Sequence, residues 1–78
     1  MHGPAGSKIR IPAMHVIING KASALEHVHT LAELVAQLRL DGRIAVEINA
    51  QIVPRSRFAS QLLHDGDVIE VVQAVGGG

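Results

Sequence analysis

The sequence predicts an α+β domain: a mixed sheet of four to five strands packed on one main helix. An apolar run, Val16 to Ile18, leads into Asn19-Gly20, a dipeptide whose two positions tolerate positive φ and which marks a tight hairpin. The stretch "HTLAELVAQLRLDG" then carries apolar residues at helical spacing. Two later segments, "RIAVEIN" and "VIEVVQAV", alternate apolar and polar residues in the manner of strands with one buried face. A hairpin, a single helix and returning strands fit a sheet wrapped on that helix.

Residues 1–13, "MHGPAGSKIRIPA", mix Gly, Pro and basic residues without periodicity and read as a disordered lead-in. From Met14 the first strand runs to the Asn19-Gly20 turn, and a second strand is expected over roughly Ala22 to Glu26. Thr30 stands three residues before Glu33, the spacing of a capping box. Leu31, Leu34, Val35 and Leu38 then form one apolar stripe, with Glu33, Gln37 and Arg39 toward water. Gly42 is placed to close this helix in a left-handed cap. "QIVPR" reads as a short strand stopped by Pro54. "SRFASQLL" reads as one helical turn, with Ser56 as cap and Phe58, Leu62 and Leu63 turned inward. His64-Asp65-Gly66-Asp67 makes a turn, because Asp side chains bond nearby backbone amides. A last strand, Val68 to Val75, completes a single domain over residues 14–75, and Gly76, Gly77 and Gly78 follow as a flexible tail.

Composition removes several classes of function. A chain of 78 residues buries only about 60% of the surface its unfolded form exposes and has little room for a deep pocket. Seven Lys and Arg balance seven Asp and Glu, so no long-range field draws nucleic acid or an anionic membrane. Phe58 is the sole aromatic residue, which leaves no rings for base stacking. The absence of cysteine removes thiolate sites and points to a reducing compartment, the cytoplasm by default. Apolar runs are too short for a membrane span or signal peptide. The expectation is a soluble protein with neither nucleic-acid nor membrane partners. No Gly-rich phosphate loop is present, so the chain is expected to hold no nucleotide alone. His27-Val28-His29 precedes the helix without a third ligand at a recognisable spacing, so no metal site is expected. Arg55 and Arg57 read as a solvated edge.

Strand alternation leaves two faces to compete for the helix. Val16, Ile18, Val46, Ile48, Ile69 and Val71 are assigned to the helix side, because that choice puts Glu47 and Glu70 in water. The opposite face then carries Ile17, Ala45, Val68 and Val72. It is half apolar with no predicted element over it, a candidate docking surface; isolated exposed aliphatic residues are the competing reading.

"INGK" on the first strand, "TLAELVAQL" on the helix, "AVEINAQIVPR", the "DGD" turn and the terminal Gly-Gly together resemble the ThiS family of thiamine-biosynthesis sulfur carriers. The resemblance runs from Met14 to Gly78, and its most specific parts are Ile52-Val53-Pro54-Arg55, Asp65-Gly66-Asp67 and the tail. It implies a β-grasp, ubiquitin-like roll, and makes residues 1–13 a lead-in or an extension foreign to the family. It also gives the glycine tail a purpose. In such carriers an E1-like (ThiF-like) adenylyltransferase uses ATP and magnesium to activate the terminal glycine carboxylate, here Gly78, as an acyl-adenylate. Sulfur from a donor protein converts it to a thiocarboxylate, and thiazole synthase (ThiG-like) takes that sulfur. The carrier binds no cofactor stably and is not itself an enzyme. Extended, Ala74 to Gly78 reaches about 16 Å, and Gly76 and Gly77 keep that reach slim. Docking would use the face with Ile17, Ala45, Val68 and Val72.

Two positions depart from the family pattern. Ala50 stands where many relatives have glycine, which predicts a bulge or a wider loop after the third strand in place of a tight turn. Gly76 lengthens the customary glycine pair by one. Two other uses of the same roll remain alternatives at this point, a molybdopterin-synthase small subunit and a ubiquitin-like protein modifier. A plain interaction module would have no need of the glycines.

Overall fold

The computed structural model describes residues 13–40 and 42–73. Strand β1 (Met14–Ile18) pairs antiparallel with β2 (Lys21–Leu25) through a turn in which Asn19 and Gly20 take φ values of 50° and 82°. Both central residues are left-handed, the conformation whose twist matches that of the flanking strands. This two-residue turn sets Ile18 opposite Lys21, so β2 begins one residue earlier than the sequence pattern suggests.

Helix α1 (Leu31–Gln37) starts at a complete capping box. Thr30 Oγ1 accepts from the Glu33 amide at 3.2 Å, and Glu33 Oε1 accepts from the amides of Thr30 at 3.0 Å and His29 at 2.7 Å. The remaining free donors of the first turn are met from across the chain, Leu31 N–H by the Gln61 carbonyl and Ala32 N–H by the Phe58 carbonyl. The His29 and Thr30 amides favour the ionised Glu33 carboxylate, and they hold its pKa below the ordinary value.

The helix ends before Gly42. Leu38 is its C-cap, Arg39 takes φ 56°, and the amides of Arg39 and Leu40 return to the carbonyls of Ala36 and Val35. This is a Schellman closure with arginine in the left-handed position usually given to glycine. The early ending leaves Leu38 39% exposed and outside the stripe of Leu31, Leu34 and Val35.

Strand β3 (Ile44–Ile48) returns antiparallel into β4 (Gln51–Val53), with Ile48 paired to Gln51. Asn49 and Ala50 between them have φ values of 52° and 69°. The turn is therefore a second tight left-handed pair, not the bulge or wider loop expected from Ala50. Strand pairing on both sides imposes the angle, and alanine carries the strain. Pro54 ends β4 and caps a 3-10 turn, Arg55–Arg57, with no side-chain cap from Ser56. Phe58 and Leu63 turn inward, but Leu62 is 55% exposed. It forms an extended bridge to Thr30, and extended backbone sends neighbouring side chains to opposite sides.

Strand β5 (Val68–Gln73) completes a five-stranded sheet in the order β2-β1-β5-β3-β4. The last two residues of the expected strand, Ala74 and Val75, lie outside the described residues. β5 runs parallel to β1 and antiparallel to β3, which makes the sheet mixed. Val16, Val46, Ile48 and Ile69 bury against Leu31 and Leu34, and Ile18 and Val71 pack at the margin, all on the face assigned to the helix. Full burial of each such aliphatic contributes about 1.5–3 kcal/mol.

Two of the left-handed positions, held by residue types not enriched in that region, predict that Ala50→Gly and Arg39→Gly each raise stability by about 0.5–1 kcal/mol, the left-handed penalty less glycine's added unfolded-state freedom, as measured by urea unfolding. Because the Glu33 pKa is lowered on folding, its contribution is complete above the unfolded pKa and is lost as pH falls through the folded one. Glu33→Gln should accordingly flatten the acid limb of the stability curve, the two proteins converging at the lowest pH.

Candidate functional site

β5 occupies the middle of the sheet, and from Gln73 the chain continues toward Gly78. Its ladder to β3 is long, from Ile69 opposite Ile48 to Gln73 opposite Ile44. Its ladder to β1 is short, Val68 beside Ile17 and Ile69 beside Ile18. Asn19 extends it. Its backbone N–H donates to the Ile69 carbonyl at 2.9 Å; its side chain accepts from Val71 N–H at 2.7 Å and donates to the Val71 carbonyl at 3.2 Å. An amide side chain carries an N–H donor group beside a carbonyl acceptor and so stands in for another residue of the ladder.

Asn49 does the same at the other turn. Its N–H donates to the Val68 carbonyl at 2.7 Å and its Oδ1 accepts from Val68 N–H at 3.0 Å. Its Nδ2 donates to Asp67 Oδ1 at 3.0 Å, while Asp67 Oδ2 accepts from His64 N–H at 2.8 Å, so the buried Asp67 carboxylate is engaged on both oxygens. Asp65 accepts from His15 N–H at 2.7 Å. The aspartates of the "DGD" turn thus serve backbone amides, as the sequence implied. The bracketing of β5 was missed, because Asn19 and Asn49 read only as turn formers. The available signal was the choice of asparagine at both turns, since aspartate cannot donate.

The outer sheet face carries the predicted docking residues. Ile17 lies beside Val68, at 40% and 39% exposure, and Val72 at 65% stands opposite the exposed Ala45. Glu70 stands opposite Glu47 between these rows. Ile52, opposite Glu47 and 74% exposed, belongs to the same face. Sequence reading omitted it, although the buried Val53 beside it fixes its direction by alternation. Arg55 is more than a solvated edge: its guanidinium donates to the Gly42 carbonyl at 2.7 Å and ties the loop before β3. A hollow of about 440 Å³ lies between β4, the 3-10 turn and the His64–Asp67 turn. The tail residues Gly76, Gly77 and Gly78 lie outside the described residues. Among the described residues, no three of His, Asp and Glu gather as a metal site, and no helix is long and apolar enough to cross a membrane.

A mixed sheet grasping one helix, with its central strand leading to the carboxyl end and its outer face half apolar, defines a ubiquitin-like β-grasp protein. The crystal structure of the thiamine biosynthesis protein ThiS from Geobacter metallireducens superposes with a TM-score of 0.70 at 29% identity, over 83% of this chain and 100% of that one. A sequence model of the ThiS family matches residues 16–78. The chain belongs to the ThiS family. It is 36% identical over 66 residues to the sulfur carrier protein ThiS of Escherichia coli, covering 83% of this chain and 100% of that protein. It is 39% identical over 66 residues to a thiazole synthase of Paramagnetospirillum magneticum, where the match spans 20% of that protein's length.

The bracket on β5 predicts that Asn19→Gly, which keeps the turn and removes only the side-chain bonds, accelerates hydrogen exchange at the Val71 amide about tenfold. Exchange at Leu34, inside the helix, should change less.

Proposed function

We propose that this chain is a sulfur carrier of thiamine biosynthesis whose Gly78 carboxylate is adenylated, converted to a thiocarboxylate and presented to thiazole synthase. The observation that carries this reading is the family match extending through residue 78, which takes in the whole glycine tail. A carboxylate is a poor acyl donor because both oxygens share its charge. Attack of one oxygen on the α-phosphorus of ATP, with magnesium on the phosphates, releases pyrophosphate and leaves a mixed anhydride. The terminal sulfur of a donor persulfide then adds to the Gly78 carbonyl and AMP departs, leaving an acyl disulfide. A second thiol attacks the donor's sulfur in that S–S bond, forming a disulfide and releasing the Gly78 thiocarboxylate, so that one carboxylate oxygen has been exchanged for sulfur. This chemistry belongs to the E1-like adenylyltransferase and its sulfur donor.

The chain itself supplies grip and reach. β5 anchors the emerging segment, and the face with Ile17, Ala45, Val68 and Val72 docks on the enzymes. Slim glycines carry the end group through a channel too narrow for side chains. That a stretch similar to this chain occurs within a thiazole synthase supports that enzyme as the acceptor. The working compartment is the cytoplasm, where ATP and reduced sulfur donors are available.

The test is incubation with the E1-like adenylyltransferase, magnesium ATP, a persulfide donor and a thiol reductant, followed by mass spectrometry of the C-terminal peptide. One oxygen at Gly78 should be exchanged for sulfur, and absence of exchange overturns the reading. Deleting Gly77 and Gly78 should abolish the exchange while leaving the unfolding temperature unchanged.

A further inference from the structure

Resting on the carrier reading, we propose that the outer sheet face recognises an arginine set in an apolar surface of the E1-like adenylyltransferase, and that Glu47 and Glu70 are the residues that read it. In the antiparallel register of β3 and β5 these two glutamates stand directly opposite one another, which brings their Cβ atoms to about 4.5–5.5 Å on one face. Like charges so placed oppose folding. Among the described residues the ion pairs are His15 with Asp65 and His64 with Asp67, so neither glutamate has a cation to offset the repulsion.

Their surroundings turn this liability into a recognition element. Val68 and Ile17 lie to one side of the pair, Val72 and Ala45 to the other, and Ile52 next to Glu47. A partner that covers these apolar groups must also strip water from two carboxylates. Without a compensating cation that desolvation opposes docking; with one, the same carboxylates attract. Arginine suits the pair better than lysine, because its planar, multi-donor fork can engage both carboxylates at once.

Charge also chooses among occupants. A second copy joined face to face would gather four carboxylates, and a nucleic acid or anionic membrane would meet like charge. Chain continuity restricts the occupant to an enzyme that handles the tail, and the adenylyltransferase is the one that meets the unmodified Gly78 carboxylate. Glu70 and Val72 lie on β5, and Val72 is six residues before Gly78, a reach of about 20 Å when extended. Whatever holds this face is within that distance of the reacting carboxylate.

The experiment compares wild type, Glu47→Gln, Glu70→Gln, the double variant and Glu47→Asp, measuring affinity for the adenylyltransferase by calorimetry at low and high salt. Binding is read separately from sulfur incorporation. Loss of sulfur on Gly78 in wild type counts against the carrier reading, whereas charge-indifferent binding counts against this inference. The double variant should bind at least about tenfold more weakly, the scale of one charged hydrogen bond, with reduced salt dependence and an equal or higher unfolding temperature. Glu47→Asp should retain most of the affinity. Double-variant affinity within twofold of wild type overturns the proposal. So does a loss of affinity that tracks a fall in unfolding temperature, or a wild-type dimer that the double variant strengthens.

Discussion

The structure depends on how one strand is held. β5 reaches the middle of the sheet last in sequence, with its long antiparallel ladder to β3 on one side and a two-pair parallel contact with β1 on the other. A parallel contact that short does little to fix register on the β1 side, where a one-residue slip would exchange Ile69 and Val71 for Val68 and Glu70 at the core. The turn asparagines add to the β3 ladder in opposing it. Asn19 fixes the backbone at Val71 and Asn49 fixes it at Val68, so register is set at points three residues apart by groups outside the regular ladders.

Both hairpin turns must be tight for this to work. Only a two-residue left-handed turn brings each asparagine level with the strand that follows in space, and this accounts for Ala50 accepting φ 69°. Local strain at one alanine is exchanged for a bracket on the central strand. The helix is fixed by similar economy. Its seven residues are too few to be stable alone, and carbonyls from Phe58 and Gln61 close its first turn. The 3-10 segment is thereby coupled to the helix start, and Leu63 N–H to the His29 carbonyl continues that seam.

Elements with strong periodicity were legible in the sequence. Alternation separated Val46 and Ile48 from Ala45 and Glu47, and the capping box located the start of the helix. The family resemblance, carried by "QIVPR", "DGD" and the tail, supplied the β-grasp topology that periodicity alone left open. What escaped was decided by tertiary context. Gly42 does lie in the left-handed region, yet the helix closes earlier on Arg39, whose amide and that of Leu40 return to the carbonyls of Ala36 and Val35. Leu62 and Leu63 are equally apolar, and only the bridge to Thr30 determines which one faces water. The role of Asn19 required knowing that a strand some fifty residues later would lie beside it, which no local pattern reports.

These features divide the molecule by sheet face. The inner face uses its strand residues to hold the helix, and its side chains have no freedom to change. Among the described residues no element packs over the outer face, so it tolerates Ile52 and Val72 in water and two opposed carboxylates that form no ion pair there. On the carrier reading, a small domain with little interior meets its enzymes by a surface rather than a deep pocket. Placing that surface on the strand that leads to Gly78 ties recognition and delivery to a single piece of backbone. An enzyme that grips β5 from outside has thereby also fixed the distance over which the chain end can be found.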